Sequence, residues 1–112
     1  MISVTIVKSN HKIVTIEATG HSGYAESGKD IVCSAISVLL ESLINGLTEV
    51  VKISPQYIID EEIPHLSVTI PSSLDAKKDE QAQILMQTTY LGIKNVANGY
   101  SKFIKIKEKQ HD

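Results

Sequence analysis

The sequence predicts an α+β fold: a single two-layer domain whose mixed or antiparallel sheet packs with two helices, in the order strand, strand, helix, strand, strand, helix, strand. Three observations predict it. Short segments alternate apolar and polar residues with a period of two, two longer segments switch to helical spacing, and the 112 residues suit one modest core. The whole chain, 1–112, is read as one domain.

Residues Ile2–Val7 and Lys12–Ala18 alternate on either side of the polar break Ser9-Asn10-His11, which predicts a β-hairpin. From Asp30 the spacing changes. Val32, Ile36, Leu39, Leu40, Leu43, Ile44 and Leu47 form one stripe of a helix reaching about Glu49, with Asp30 as its N-cap. A second strand pair, Gln56–Asp60 and His65–Ile70, flanks an acidic turn at Glu61-Glu62 and Pro64, and Pro71 ends it. Ser72 or Ser73 then caps a helix with Ala82, Leu85, Met86, Thr89, Ile93 and Val96 on one face, and Gly99 stops it. The last strand is Lys102–Lys107. The two strand-strand-helix units share an order but too little sequence to form a repeat.

Composition excludes several classes of function. Apolar residues make up 42% and charged residues 21%, the balance of a globular protein rather than a disordered one. The apolar runs fall short of a membrane span, and the N-terminus alternates like a strand instead of showing a signal core, so the expectation is a cytoplasmic protein with no membrane partner. The single cysteine forms no internal disulfide and fits a reducing compartment. A net charge of -2, with eleven lysines and no arginine, disfavours direct binding of nucleic acid. Lys102, Lys105, Lys107 and Lys109 read as the solvated edge of a sheet.

Chemistry concentrates in the stretch GHSGYAESGKDIVCSAIS, residues 20–37. With Asp30 as cap, Cys33 is the third helical residue, near unpaired N–H groups and the positive end of the helix dipole, which favour thiolate over thiol. At about 100° per residue it lies roughly 70° off the apolar stripe, beside Ser37, and so stays partly reachable. His21, at the exit of the second strand, is the nearest base. Gly20, Gly23 and Gly28 leave the connection free to open and close, although glycines also serve plain turns. Asp30 is a cap, an orienter of His21, or both. A lone cysteine in an amphipathic helix is more often structural, so spacing alone does not establish catalysis. His21 and Cys33 are too few for a zinc site, and Ser22 lacks the G-x-S-x-G spacing of a hydrolase elbow; no metal and no cofactor is expected.

The same stretch resembles the signature of the ribosomal-processing cysteine proteases, the Prp family: Gly-His, a small residue, a glycine-containing loop, then Gly-x-Asp-Ile-Val-Cys and small residues. The resemblance implies an endopeptidase that removes the N-terminal extension of a large-subunit ribosomal protein during ribosome assembly, acting as a homodimer. It makes Cys33 the nucleophile, His21 the general base and acid, and Asp30 an orienter or cap. Gly20, Ser22, Gly23, Gly28, Ser34 and Ser37 would line the loop and substrate site, with Ser22 standing where alanine is frequent. On this reading the oxyanion is held by the N–H groups of Cys33 and Ser34 in the first helical turn, and Glu26 with Asp60-Glu61-Glu62 collects a basic substrate tail. The rival reading is a non-catalytic module that binds a ribosomal protein or assembly factor, with Cys33 as packing.

Overall fold

Alternation in the first segments becomes a hairpin of β1 (Ile2–Ser9) and β2 (Lys12–Thr19). Asn10 and His11 both take positive φ, 51° and 69°, the two-residue turn whose twist matches the flanking strands. The computed structural model describes residues 1–25, 30–62 and 64–111. In these, α1 (Ile31–Asn45), β3 (Gln56–Asp60), β4 (His65–Thr69), α2 (Ala76–Gly99) and β5 (Ile104–Gln110) follow in the expected order.

The five strands form one sheet in the order β3-β4-β2-β1-β5. All pairs are antiparallel except β1 with β5, so the sheet is mixed. Ile2, Val4, Ile6, Ile16, Ala18 and Val68 turn one face toward the helices and are buried with the stripe Val32-Ile36-Leu40-Leu43-Ile44-Leu47 of the first helical run. On α2 the buried face is Ala82, Met86, Thr89, Tyr90 and Ile93. The two helices approach closely where they carry glycine: a Cβ on Gly46 would lie 3.0 Å from Leu85, and one on Gly92 would lie 3.0 Å from Leu39.

Several boundaries differ from expectation for physical reasons. The first helix reaches Val50, but its end, Gly46–Val50, is a π-helical turn closed by Val51 N–H on the Gly46 carbonyl. Counted through that turn, Ile31–Val50 is long and apolar enough by length and composition to cross a membrane, which corrects the reading of short apolar runs. Its apolar stripe is buried in the core. Asp75, not Ser72 or Ser73, caps α2, accepting the Lys78 N–H at 2.8 Å. Aspartate caps as well as serine, and Leu74 just before it anchors against the core. Gly99 is the last helical residue and has no left-handed conformation; Tyr100 closes the helix on Val96 at 3.0 Å. The final strand begins at Ile104 rather than Lys102 because residues 101–103 form a turn. β5 is an edge strand, as the alternating lysines suggest.

Gly20 sets the direction in which the chain leaves β2. Its φ is +90°, its N–H donates to the Pro64 carbonyl at 3.0 Å, and an added Cβ would stand 2.8 Å from the Met1 carbonyl oxygen. Strain and clash combine there. Gly20→Ala is expected to cost about 2 kcal/mol or more, read as a lower urea midpoint at unchanged slope.

Candidate active site

The site begins with Asp30. This buried carboxylate caps α1, its Oδ1 accepting the N–H groups of Val32 and Cys33 at 3.0 Å each. Cys33 therefore stands in the first helical turn, half-buried, with its side chain packed against the edge of the core. The cap has a consequence for catalysis. The Cys33 N–H is held by the carboxylate and the Ser34 N–H by the Asp30 carbonyl at 3.0 Å, so neither is open to an oxyanion. The expected oxyanion donors are thus corrected.

Ser22 ties the strand exit to this turn. It is 3% exposed; its hydroxyl donates to Asp30 Oδ2 and accepts the Tyr24 N–H at 3.0 Å, while its own N–H points at Cys33 Sγ, 3.3 Å away. Serine at this position is more than a small-residue substitute, because its hydroxyl joins the strand exit to the carboxylate that caps α1. Burial alone would raise the Asp30 pKa, but hydrogen bonds from the Ser22 hydroxyl, the Cys33 N–H and thiol, and the Val32 N–H outweigh it and hold the carboxyl below its ordinary value. Removing the hydroxyl takes one donor from a buried charge. Ser22→Ala is expected to lower stability by about 2 kcal/mol, measured by urea unfolding at neutral pH.

These residues open onto a cavity of about 660 Å³. His21 and Cys33 both line it, together with Gly20, Gly23, Asp30, Ser34 and Ser37, whereas Ser22 is buried behind the wall. His21 is exposed, and no hydrogen bond among the described residues joins it to Asp30. As observed, Asp30 is a helix cap that reaches the histidine's segment through Ser22. Gly28 and Glu26 lie outside the described residues. Of the acidic turn, Asp60 and Glu61 line the cavity, and Glu62 is exposed beside them.

Sequence reasoning missed two features. Tyr24 stacks edge-on against Tyr100 and Phe103, with ring centroids 5.6 and 5.3 Å apart, and so fastens the chain beyond Gly23 to the end of α2. His65 also lines the cavity, its Nε2 2.7 Å from Glu17 Oε2 on the neighbouring strand. The register that pairs Thr19 with His65 is the signal that places this second imidazole near the exit of β2.

This geometry can be set beside known proteins. The model of the family described as cysteine protease Prp matches residues 1–105. The ribosomal processing cysteine protease Prp of Bacillus subtilis is 27% identical, across 95% of this chain and 96% of its own. A crystal structure of a ribosomal processing protease Prp from Staphylococcus aureus with a substrate peptide superposes with a TM-score of 0.80 at 26% identity, covering 97% of this chain and 100% of that one. A second structure from the same organism, with a covalently linked product peptide, has a TM-score of 0.86 at 24% identity over the same shares and shows the common fold. With the match running from Met1 through the last strand's first residues, and with Cys33 at a capped helix start facing a cavity, the chain belongs to the cysteine protease Prp family.

Proposed function

We propose that this protein is a cysteine endopeptidase that trims the N-terminal extension of a large-subunit ribosomal protein, with Cys33 as nucleophile and His21 as general base and acid. The observation that carries the reading is that the sole cysteine and an exposed imidazole line one cavity, beside a buried, fully hydrogen-bonded cap. The related proteins are named for the same chemistry.

In the proposed reaction His21 takes the proton of Cys33 and the sulfur attacks the scissile carbonyl; the tetrahedral intermediate collapses to the thioester as the C–N bond breaks and His21 gives its proton to the departing amine, and water deprotonated by His21 then cleaves the thioester, releasing the carboxylic acid and restoring the Cys33 sulfur. Gly23 is the proposed oxyanion donor. It lines the cavity, its φ of +77° lets the backbone turn there, and its N–H follows directly on the Ser22 N–H that faces the sulfur. Asp60 and Glu61 in the cavity wall supply negative charge for a basic substrate segment. The free cysteine suits a cytoplasmic setting, and exposed Ile84 and Leu91, seven residues apart on α2, suit the homodimer that the reading includes.

The test is incubation with a peptide carrying the ribosomal N-terminal extension and mass analysis of the products. One cut that releases the extension is the expected result. An intact peptide under conditions where the protein is folded, bound or unbound, overturns the endopeptidase reading, and tight binding without cutting would favour the binding module.

A further inference from the structure

The sheet has two edges, and they are built differently. β5 carries Lys105, Lys107 and Lys109 on alternate positions, the pattern that discourages another strand from pairing. β3 has no lysine. All five of its residues are exposed, including Tyr57 at 51%, Ile58 at 48% and Ile59 at 44%. Because β4 is its sole strand neighbour among the described residues, alternate residues of β3 direct their N–H and C=O groups away from the sheet. A short apolar edge of this kind is a template for an added strand.

One end of that edge runs into the cavity. Ile59 and Asp60 line it together with Cys33, and Val38 of α1 and Leu66 of β4 add apolar wall. We propose that β3 is the docking edge for the substrate: an extended peptide adds to the sheet beside β3 as a sixth strand, which carries its scissile bond to Cys33. This inference rests on the endopeptidase reading and deepens it by naming how the substrate is held. Five residues at about 3.3 Å each give roughly 16 Å of edge, enough to pair about five substrate residues. Side chains of the added strand alternate between the cavity side, where Ile59 and Leu66 lie, and the opposite face beside Ile58. Main-chain pairing tolerates sequence, so affinity comes from the backbone and selectivity from the apolar wall and the acidic turn. The occupant is a peptide rather than a second copy because the edge is continuous with the cavity that holds the nucleophile.

The probe is a peptide of roughly ten residues carrying the ribosomal N-terminal extension, with versions N-methylated at each backbone nitrogen in turn. Bound to Cys33→Ala protein, the parent peptide is expected to slow hydrogen exchange of alternate β3 amides by about tenfold or more. With the native protein, N-methylation at every second position is expected to raise KM about tenfold, and at the positions between by less than about threefold. An N-methyl scan without alternation, or binding without protection in β3, overturns the proposal while leaving cleavage of the parent peptide, and hence the proposed function, standing. Protection of β3 that grows with protein concentration in the absence of peptide also overturns it, by assigning the edge to a second copy. A parent peptide that is neither bound nor cut defeats both readings together.

Discussion

Cys33→Ser is expected to reduce kcat/KM for the extension-bearing peptide by about 10⁴-fold or more, with the urea midpoint nearly unchanged. The two halves of this expectation come from different atoms. In the proposed mechanism the sulfur is the attacking atom, and a neutral hydroxyl in its place is a poor nucleophile. The side chain's structural duties are light: it is half-buried, it packs at the margin of the core, and its polar contacts, acceptance of the Ser22 N–H and a hydrogen bond to Asp30, are ones a serine hydroxyl also makes. His21→Ala is expected to lower kcat/KM by about 10²- to 10⁴-fold, the usual range for removing a general base, again without unfolding an exposed position. His65→Ala provides the contrast. His65 lines the same cavity but is engaged with Glu17, and its loss is expected to leave most activity. Steady-state kinetics on the three variants checks the assignment; full activity in His21→Ala with loss in His65→Ala would move the base to the other imidazole.

Much of this arrangement is legible in the residues themselves, and the limits of legibility have physical causes. The period-two runs locate the strands, because a half-buried sheet imposes its alternation locally. Asp30 reads as a cap because capping is a contact between residues two and three apart. The parallel pairing of β1 with β5 is another matter, since it joins the two ends of the chain and no local pattern encodes it. Long-range contacts likewise explain the missed Tyr24 clasp and the approach of His65 to the site. The N–H groups of Cys33 and Ser34 are engaged for a subtler reason. The carboxylate that marks the helix start in the sequence takes the Cys33 N–H in the fold, and the first i→i−4 bond of the helix takes that of Ser34.

Asp30→Ala is expected to cost about 2 to 3 kcal/mol. The cap, whose Oδ1 accepts two helix N–H groups, contributes about 1 kcal/mol, and the rest is the loss of the partner for the buried Ser22 hydroxyl. Asp30→Asn keeps a capping oxygen and so is expected to cost about 1 kcal/mol. The pair of variants also separates charge from geometry through pH. The folded-state pKa of Asp30 lies below its ordinary value of 3.8, so the carboxylate's contribution is fully present above that value and is lost as pH falls through the folded pKa. Asp30→Asn has no such proton to take up. Its stability deficit relative to the native protein should therefore hold steady from pH 7 to about 5 and shrink below about 4, as urea midpoints across that range would show. A deficit that widened in acid would mean that the carboxyl is protonated more readily in the fold than out of it. The hydrogen bonds from Ser22, Val32 and Cys33 would then not be holding a charge, and the cap would be organising the turn that carries Cys33 by shape alone.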